Sequence, residues 1–269
     1  MRKIGSKEYN LLLIDSNVIS EIVYNGNIVS SDFFNYALEN NTVVCFSFYN
    51  VLELKNGYTE RWEKFLDIFS KSPCAIAKPF WQIILEELEI YDNRVKDIYP
   101  LFNHFSLLGK GPSYNFKIWI SEVLDLARDS LQYEQDVFLK TLDYFNGRRD
   151  LPEYRVKNEF AKKMKIEKLH PFLAKKSLAQ EIFSDSNFPS IEIMFKAFYH
   201  RYVNLKRELL ISDMNDIAIS ACIPYVDVFI TEKYQTQLIN EMLRRMETAS
   251  VKCFKVSMFF KGRAFPSIS

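Results

Sequence analysis

Short apolar runs, each followed by a helical pattern, constrain this fold more than any other feature of the sequence. They are rich in Leu, Ile, Val and Phe and lie near both ends of the chain. Alternation of such runs with helices is typical of βα units, which build a parallel sheet covered by helices. The runs are "YNLLLID" at 9–15, "NTVVCFSF" at 41–48, "CAIA" at 74–77, "DVFIT" at 227–231 and "VKCFKV" at 251–256. The sequence therefore predicts an α/β fold.

The middle of the chain has a different pattern. From Phe80 to Leu210 the apolar spacing is almost wholly helical and is interrupted only by loops. We therefore predict one α/β domain made of residues 1–80 and 205–269, with a helical insertion at 81–204 that could bind a substrate or a partner. Within the α/β part, "SDFFNYALEN" is expected to be a helix capped by Ser30 or Ser31.

Composition limits the classes of function. The chain has 269 residues, 48% of them hydrophobic, which is enough for a sizeable core. Its net charge is +1, so any site for a polyanion must be local. The four cysteines lie too far apart for a zinc or redox motif and are expected to be reduced, buried thiols. The first apolar run is too short for a signal peptide, and no stretch reaches the roughly 18 apolar residues of a membrane span. We expect a cytoplasmic protein with no membrane contact.

Carboxylates follow the predicted strands. Asp15 ends the first strand, Glu53 lies just beyond the second, Asp216 begins an apolar helix, and Glu232 follows the strand at 227–231. In parallel α/β sheets the ligand crevice lies outside the carboxyl ends of the strands, so these acids are expected at one edge. Two plain alternatives stay open: Asp15 also suits a helix N-cap, and Glu53 a solvated helix position.

Sequence spacing distinguishes the acids that are expected to share one site from other acids nearby in the sequence. Asp227 and Glu232 bracket one strand and stand roughly 16 Å apart, so they cannot share a metal, and Asp227 belongs to the far edge. Asp213 and Asp216 lie one turn apart on a helical face. We prefer Asp216 because it directly precedes the apolar "IAISA", with Asp213 as an outer or substitute ligand.

These motifs together resemble the PIN-domain nucleases, whose acidic residues occur in the order Asp, Glu, Asp, Asp. The segment "LLLIDSNVI" looks like the family's first strand, "VLEL" like its first-helix Glu, and "NDIAISA" like its third acidic motif. The segment "PYVDVFITEK" resembles the closing strand, with Glu232 where an Asp is more usual. About 110 residues match, near 9–80 and 211–257. The insertion roughly doubles the usual small form of the family.

The resemblance implies a parallel-sheet, Rossmann-like, three-layer domain and a metal-dependent endoribonuclease. Its catalytic metal ligands would be Asp15, Glu53, Asp216 and Glu232, with Asp213 as a further ligand. Converging carboxylates repel one another unless a cation neutralises them, and oxygen-only ligands favour Mg²⁺ or Mn²⁺ over zinc. Outer hydrogen bonds are expected from Ser16, Asn17, Asn215 and Thr231, although turn or cap bonds suit Ser16 and Thr231 equally well. A preference for RNA rests on the resemblance alone.

A nuclease must attract a polyanion, and one segment of the insertion is strongly basic. From Arg148 to Lys176 there are ten Lys or Arg against four Asp or Glu, a local excess of +6. Lys162, Lys163 and Lys165 are the expected phosphate contacts, with Tyr154, Phe160 and Phe172 available for base stacking. The plain alternative is a solvated amphipathic helix.

Two other functions stay open. A PIN-like fold without catalysis could serve as a scaffold, with the insertion binding a protein partner such as an antitoxin. A HAD-like phosphatase also begins with an Asp after an apolar strand, but its second Asp, two residues later, is replaced here by Asn17. The three histidines, His104, His170 and His200, all lie in the helical middle and are expected to be surface or packing residues.

Overall fold

The structure of the chain is a computed structural model. It describes residues 2–4, 7–24, 26–91, 97–105, 113–148, 150–163, 188–204, 208–244 and 251–255. The predicted α/β class is confirmed: the sheet is mostly parallel and helices surround it, an arrangement compatible with three layers.

Seven strands form the sheet in the order β5-β4-β3-β2-β6-β7, with β1 pairing with β2 beside this path. The strands are β1 (Arg2–Ile4), β2 (Lys7–Ile14), β3 (Thr42–Phe46), β4 (Cys74–Ala77), β5 (Leu101–Phe105), β6 (Val228–Thr231) and β7 (Lys252–Lys255). Strand β2 pairs in parallel with both β3 and β6, whereas β1 and β5 pair antiparallel with their neighbours. All five predicted strands are therefore confirmed.

Ten α-helices occur among the described residues. They are α1 (Ser16–Tyr24), α2 (Gly26–Glu39), α3 (Phe48–Asn56), α4 (Thr59–Phe69), α5 (Phe80–Tyr91), α6 (Ser113–Asn146), α7 (Glu153–Lys163), α8 (Pro189–Tyr199), α9 (Ile211–Ser220) and α10 (Lys233–Leu243). A π-helical turn at His200–Asn204 extends α8, and a 3₁₀ turn at Ile223–Tyr225 leads to β6.

Two expectations are wrong in detail. The middle of the chain is not almost wholly helical, because β5 lies within it and extends the sheet at the β4 edge. This short strand is only partly buried and contains polar residues, so its own sequence gives little strand signal. The second helix begins at Gly26, before the caps expected at Ser30 and Ser31.

The core fills both faces of the sheet, as buried parallel strands require. Every residue of β3, β4 and β6 is buried, and so is the second half of β2. The long helix α6 packs against α4, α7, α9 and β5 and buries the apolar face that its spacing predicts. All four cysteines are free and buried, as expected. Among the described helices, none has the length and apolar character needed to cross a membrane.

Candidate active site

The candidate site lies at the carboxyl edge of the two central strands, β2 and β6. Their parallel register pairs Ile14 with Ile230, so the next residues, Asp15 and Thr231, lie side by side where the strands end. The Asp15 amide extends this ladder by donating to the Ile230 carbonyl at 3.3 Å. Both side chains are buried, with Asp15 only 3% exposed. The apolar strand thus delivers one carboxylate into the protein interior.

Asp15 is held from two directions. Its Oδ1 accepts a hydrogen bond from the Val18 amide at 3.0 Å, which is the capping bond that begins α1, and its Oδ2 accepts one from the Thr231 hydroxyl. Burial raises the pKa of the Asp15 carboxyl, and the negative charge of Glu232 raises it further, while these hydrogen bonds lower it. The N-cap interpretation therefore holds in the structure, together with the position at the sheet edge.

Glu53 is connected to the same edge through Ser16. The Ser16 hydroxyl donates to Glu53 Oε2, and it accepts from Asn50 Nδ2 at 2.9 Å. Asn50 is fully buried, and it also closes the capping box of α3, where its Oδ1 accepts from the Ser47 amide at 2.9 Å. The α3 cap therefore fixes the chain Asn50–Ser16–Glu53, in which the Ser16 hydroxyl holds the Glu53 carboxylate.

Asp216 approaches from the middle of α9. Its Oδ2 accepts from Arg201 Nη2 and from Gln235 Nε2, both at 3.1 Å. Burial raises the pKa of Asp216 to about 6; the charges of Asp15 and Glu53 contribute to this rise, and Arg201 opposes it. The charges of Asp15 and Glu53 therefore both act on Asp216.

A hydrogen-bond chain links two of these acids. Thr231 Oγ1 lies 3.1 Å from Gln235 Oε1 as well as beside Asp15, and Gln235 Nε2 continues the chain to Asp216. A hydroxyl has one proton, so Thr231 can donate to only one of its two acceptors at a time. An ionised Asp15 takes that proton, whereas a protonated Asp15 donates to Thr231 and leaves the Thr231 proton for Gln235. The protonation state of Asp15 is thus coupled to the hydrogen bond on Gln235.

The remaining predicted acids differ in position. Asp213 is buried and caps α9 by accepting from the Leu210 amide at 2.8 Å, and its Oδ1 lies 3.4 Å from Arg201 Nε. Glu232 is exposed at the N-cap of α10, directly after β6. Asp227 lies at the opposite end of that strand, where it accepts from the Leu11 amide at 2.8 Å, as expected for the far edge.

The other predicted contacts fall into three groups. Asn17 is exposed, and its backbone amide bonds to Asp15. Asn215 is buried, and its Oδ1 has no hydrogen-bond partner among the described residues. Lys162 and Lys163 lie at the end of α7, but their side chains, like Lys165 and Phe172, fall outside the described residues.

The prediction that Phe160 is available for base stacking is wrong. Phe160 is 1% exposed and packs on Phe198 at 4.6 Å between ring centroids, so it is a core residue and cannot stack on a base. The exposed Tyr154 remains accessible.

Three contributors to the site, Asn50, Arg201 and Gln235, were not predicted. Gln235 follows Thr231 by four residues, so helical spacing after the strand was a usable signal. Arg201 lies on the π-helical turn, and only the packing of α8 on α9 brings it to Asp216. Within the described part of the chain, no three His, Cys, Asp or Glu side chains form a group that could hold a metal.

Comparisons of the chain with protein-family models, with curated proteins and with solved structures find no match.

Proposed function

We propose that this chain is a metal-dependent nuclease of PIN-like fold that hydrolyses phosphodiester bonds, with RNA as its substrate. The observation that carries the proposal is the hydrogen-bond chain Asp15–Thr231–Gln235–Asp216, which joins two acids from separate segments. Glu53 is connected to the same edge through Ser16, the residue after Asp15. The strand order, with β2 central between β3 and β6, supports the proposal by placing the ends of those strands together.

The donor set suits a hard divalent cation, because all of its side chains are carboxylates and oxygen ligands favour Mg²⁺ or Mn²⁺. Mg²⁺ is usually bound by one or two carboxylates and keeps several waters, so a site for it needs no closed group of three protein ligands. We propose Asp15 and Asp216 as the inner carboxylates, with Glu53 and Glu232 beside them.

Bound there, Mg²⁺ or Mn²⁺ would lower the pKa of an attacking water and offset charge on the scissile phosphate. The protein's own part is to hold its acids in fixed positions before the substrate arrives. Thr231 and the Val18 amide orient Asp15, Ser16 orients Glu53, and Gln235 orients Asp216. Gln235 also links the two acids, so a change in the protonation of Asp15 can alter the hydrogen bond that Asp216 accepts.

A catalytically inactive scaffold is the second candidate, and one observation favours it. Arg201 already supplies a buried positive charge to Asp213 and Asp216, so part of the acidic cluster is neutralised without a metal. A scaffold of this kind would use the insertion to bind a protein partner.

A cleavage assay separates the two candidates. Mixed-sequence RNA and DNA are incubated with the full chain in Mg²⁺, in Mn²⁺ and in EDTA, and the thermal unfolding midpoint is measured in the same buffers. The nuclease proposal expects RNA cleavage that EDTA abolishes and a midpoint that either metal raises. No cleavage and no metal-dependent shift would favour the scaffold.

A further inference from the structure

A groove of about 560 Å³ opens between α3, α6 and the first turns of α9. Its size falls in the range of ligand sites. We call it the α3–α6 groove. Its polar lining includes Glu53, Lys55, Arg128, Gln132, Gln135 and Asn215. Glu53 belongs to both the groove and the acidic cluster, so a molecule lying in the groove would lie next to the proposed reaction site.

The insertion supplies one wall of this groove. Arg128, Gln132 and Gln135 are spaced by four and three residues along α6 and therefore lie on one face of the helix. Arg128 and Gln132 are exposed, and Gln135 is half-buried. Leu124 and Leu131 also line the groove and are buried, so they give it an apolar floor on which the face of a base could rest.

The charge of the groove is not suited to binding phosphates. Its cationic lining residues are Lys55 and Arg128, and its anionic ones are Glu53, Asp125 and Asp136. Arg128 already forms an ion pair with Asp125. The acids exceed the bases by one, so a polyanion gains no net attraction here, and any recognition must come from hydrogen bonds.

The side-chain oxygen of Asn215 lacks a hydrogen-bond donor among the described residues, which indicates the kind of group that the groove could bind. Asn215 is 8% exposed, lines the groove, and its Oδ1 has no donor within the described structure. Phosphate oxygens are acceptors and cannot supply that hydrogen bond, whereas the N–H groups of an unpaired base can. The amides of Gln132 and Gln135 both donate and accept, which suits base edges equally well.

We propose that the α3–α6 groove binds unpaired bases of a single-stranded nucleic acid, next to the bond that is cut. This inference rests on the proposed nuclease function. It assigns Gln132, Gln135 and Asn215 to the bases and leaves phosphate binding to other surfaces. Paired bases have their hydrogen-bonding edges occupied, so the groove discriminates against a duplex.

The test measures affinity in EDTA, where no metal-dependent cleavage occurs. Fluorescence anisotropy follows binding of a labelled mixed-sequence single-stranded RNA, and of the same RNA annealed to its complement. The double variant Gln132→Met and Gln135→Met keeps side-chain length and removes the amides. Lys140→Met is the control, since Lys140 is exposed on α6 but does not line the groove. Thermal unfolding verifies that each variant is folded.

We expect the double variant to bind the single strand about 10-fold more weakly, with an unchanged salt dependence. The Lys140→Met control should bind the single strand within about twofold of the parent, and duplex affinity should not respond to the double variant. Arg128→Gln should change the salt slope by no more than about 0.7. Equal single-strand affinity of parent and double variant, equal loss for duplex and single strand, or no single-strand binding by the parent would each overturn the assignment.

The two proposals can fail separately. If the double variant loses single-strand affinity but the parent cleaves nothing in Mg²⁺ or Mn²⁺, the nuclease proposal fails and the base-binding groove stands. If the parent cleaves RNA and the double variant has an unchanged KM, the groove assignment fails and the nuclease proposal stands.

Discussion

Arg201 Nη2 lies 3.1 Å from Asp216 Oδ2, so the guanidinium offsets the charge of one acid of the candidate site. The same Arg201 side chain also faces Asp213, 3.4 Å from its Oδ1. It comes from the π-helical turn after α8, whereas both acids lie on α9. Arg201 therefore offsets part of the negative charge of Asp213 and Asp216 without a metal.

We expect Arg201→Gln to destabilise the protein in EDTA by about 2 kcal/mol. This is less than the ~3–5 kcal/mol for breaking a fully buried pair, because the Asp216 side chain is 36% exposed. Mg²⁺ should recover more stability in this variant than in the parent, since the acids then lack their internal cation. Urea unfolding with and without Mg²⁺ measures both effects.

Arg128→Gln is the matched control for this change, because it removes an exposed Arg–Asp pair on α6. We expect it to alter the free energy of unfolding by less than about 1 kcal/mol. Equal stabilities of the Arg201→Gln protein and the parent, each measured in EDTA, would mean that Asp213 and Asp216 do not need this cation.

At Glu232 the acidic motif differs from the PIN pattern, so a variant of this residue tests whether it belongs to the metal site. Glu232→Gln should raise the Mg²⁺ concentration needed for half-maximal cleavage, because Glu232 lies at the same sheet edge as Asp15 and its charge acts on Asp15. Asp227→Asn should leave that concentration unchanged, since Asp227 lies at the opposite end of β6. The same negligible effect from both variants would remove Glu232 from the site.

The buried Glu87 predicts that the free energy of unfolding depends on pH, independently of the candidate site. It is buried on α5, where its Oε1 accepts from the Ser190 amide at 2.8 Å and from Tyr225 Oη at 2.5 Å. Burial raises the pKa of Glu87 from 4.5 to about 7. Between about pH 4.5 and 7, the folded chain thus keeps a proton on Glu87 that the unfolded chain releases. The stabilisation that Glu87 contributes is complete below about pH 4.5 and is lost as pH rises through about 7.

The free energy of unfolding should therefore fall between about pH 5 and pH 8 more steeply in the parent than in Glu87→Gln. The full contribution is on the order of 3 kcal/mol, at about 1.4 kcal/mol for each pKa unit. Urea unfolding at several pH values measures it, with the exposed Glu122→Gln as the control. Parallel pH profiles for the parent and Glu87→Gln would show that Glu87 is ionised throughout.

The basic segment at 148–176 gives a prediction about substrate affinity. Replacing Lys162, Lys163 and Lys165 together with Gln should weaken RNA binding and flatten its salt dependence by roughly 0.7 in slope for each phosphate that is no longer neutralised. Lys162 and Lys163 are consecutive residues of α7 and cannot both face one groove, so their single variants should differ. Turnover at saturating substrate should change little.

The control for charge removes three exposed lysines elsewhere. Lys64, Lys71 and Lys117 each form a surface ion pair, and their triple Gln variant changes the net charge by the same amount. If both triple variants show the same salt slope as the parent, the segment at 148–176 is an ordinary solvated surface.

The fold was predictable to the extent that each element carries its own signal. The strands β3, β4 and β6 are buried along their whole length and are apolar except for Thr42 and Thr231, so their sequences identify them. By contrast, β1 has three residues, two of them charged, and β5 is half-exposed. Both are strands because a neighbouring strand pairs with them, and that information is not local.

The candidate site also was predictable only where the local sequence carries the signal. Asp15 follows β2 and Thr231 ends β6, so the predicted parallel sheet places both at one edge, whereas the pairing of β2 with β6 that makes them neighbours is known only from the structure. Arg201 reaches Asp216 only through helix packing, and a single arginine in a helical pattern looks like a surface residue. Asn50 looks like a cap residue in sequence, and only the tertiary contact with Ser16 shows its second role.

The most direct test of the account is the metal-dependent cleavage rate of Asp15→Asn relative to the parent. Asp227→Asn serves as the control, because it makes the same chemical change at the other end of the central strands. We predict that Asp15→Asn loses more than about 100-fold in rate, above the ~10–100-fold typical of outer partners of a metal, while the control cleaves at the parent rate. In EDTA the Asp15→Asn protein should be at least as stable as the parent, because one buried like charge has been removed. Cleavage by Asp15→Asn at a rate near that of the parent would contradict the account.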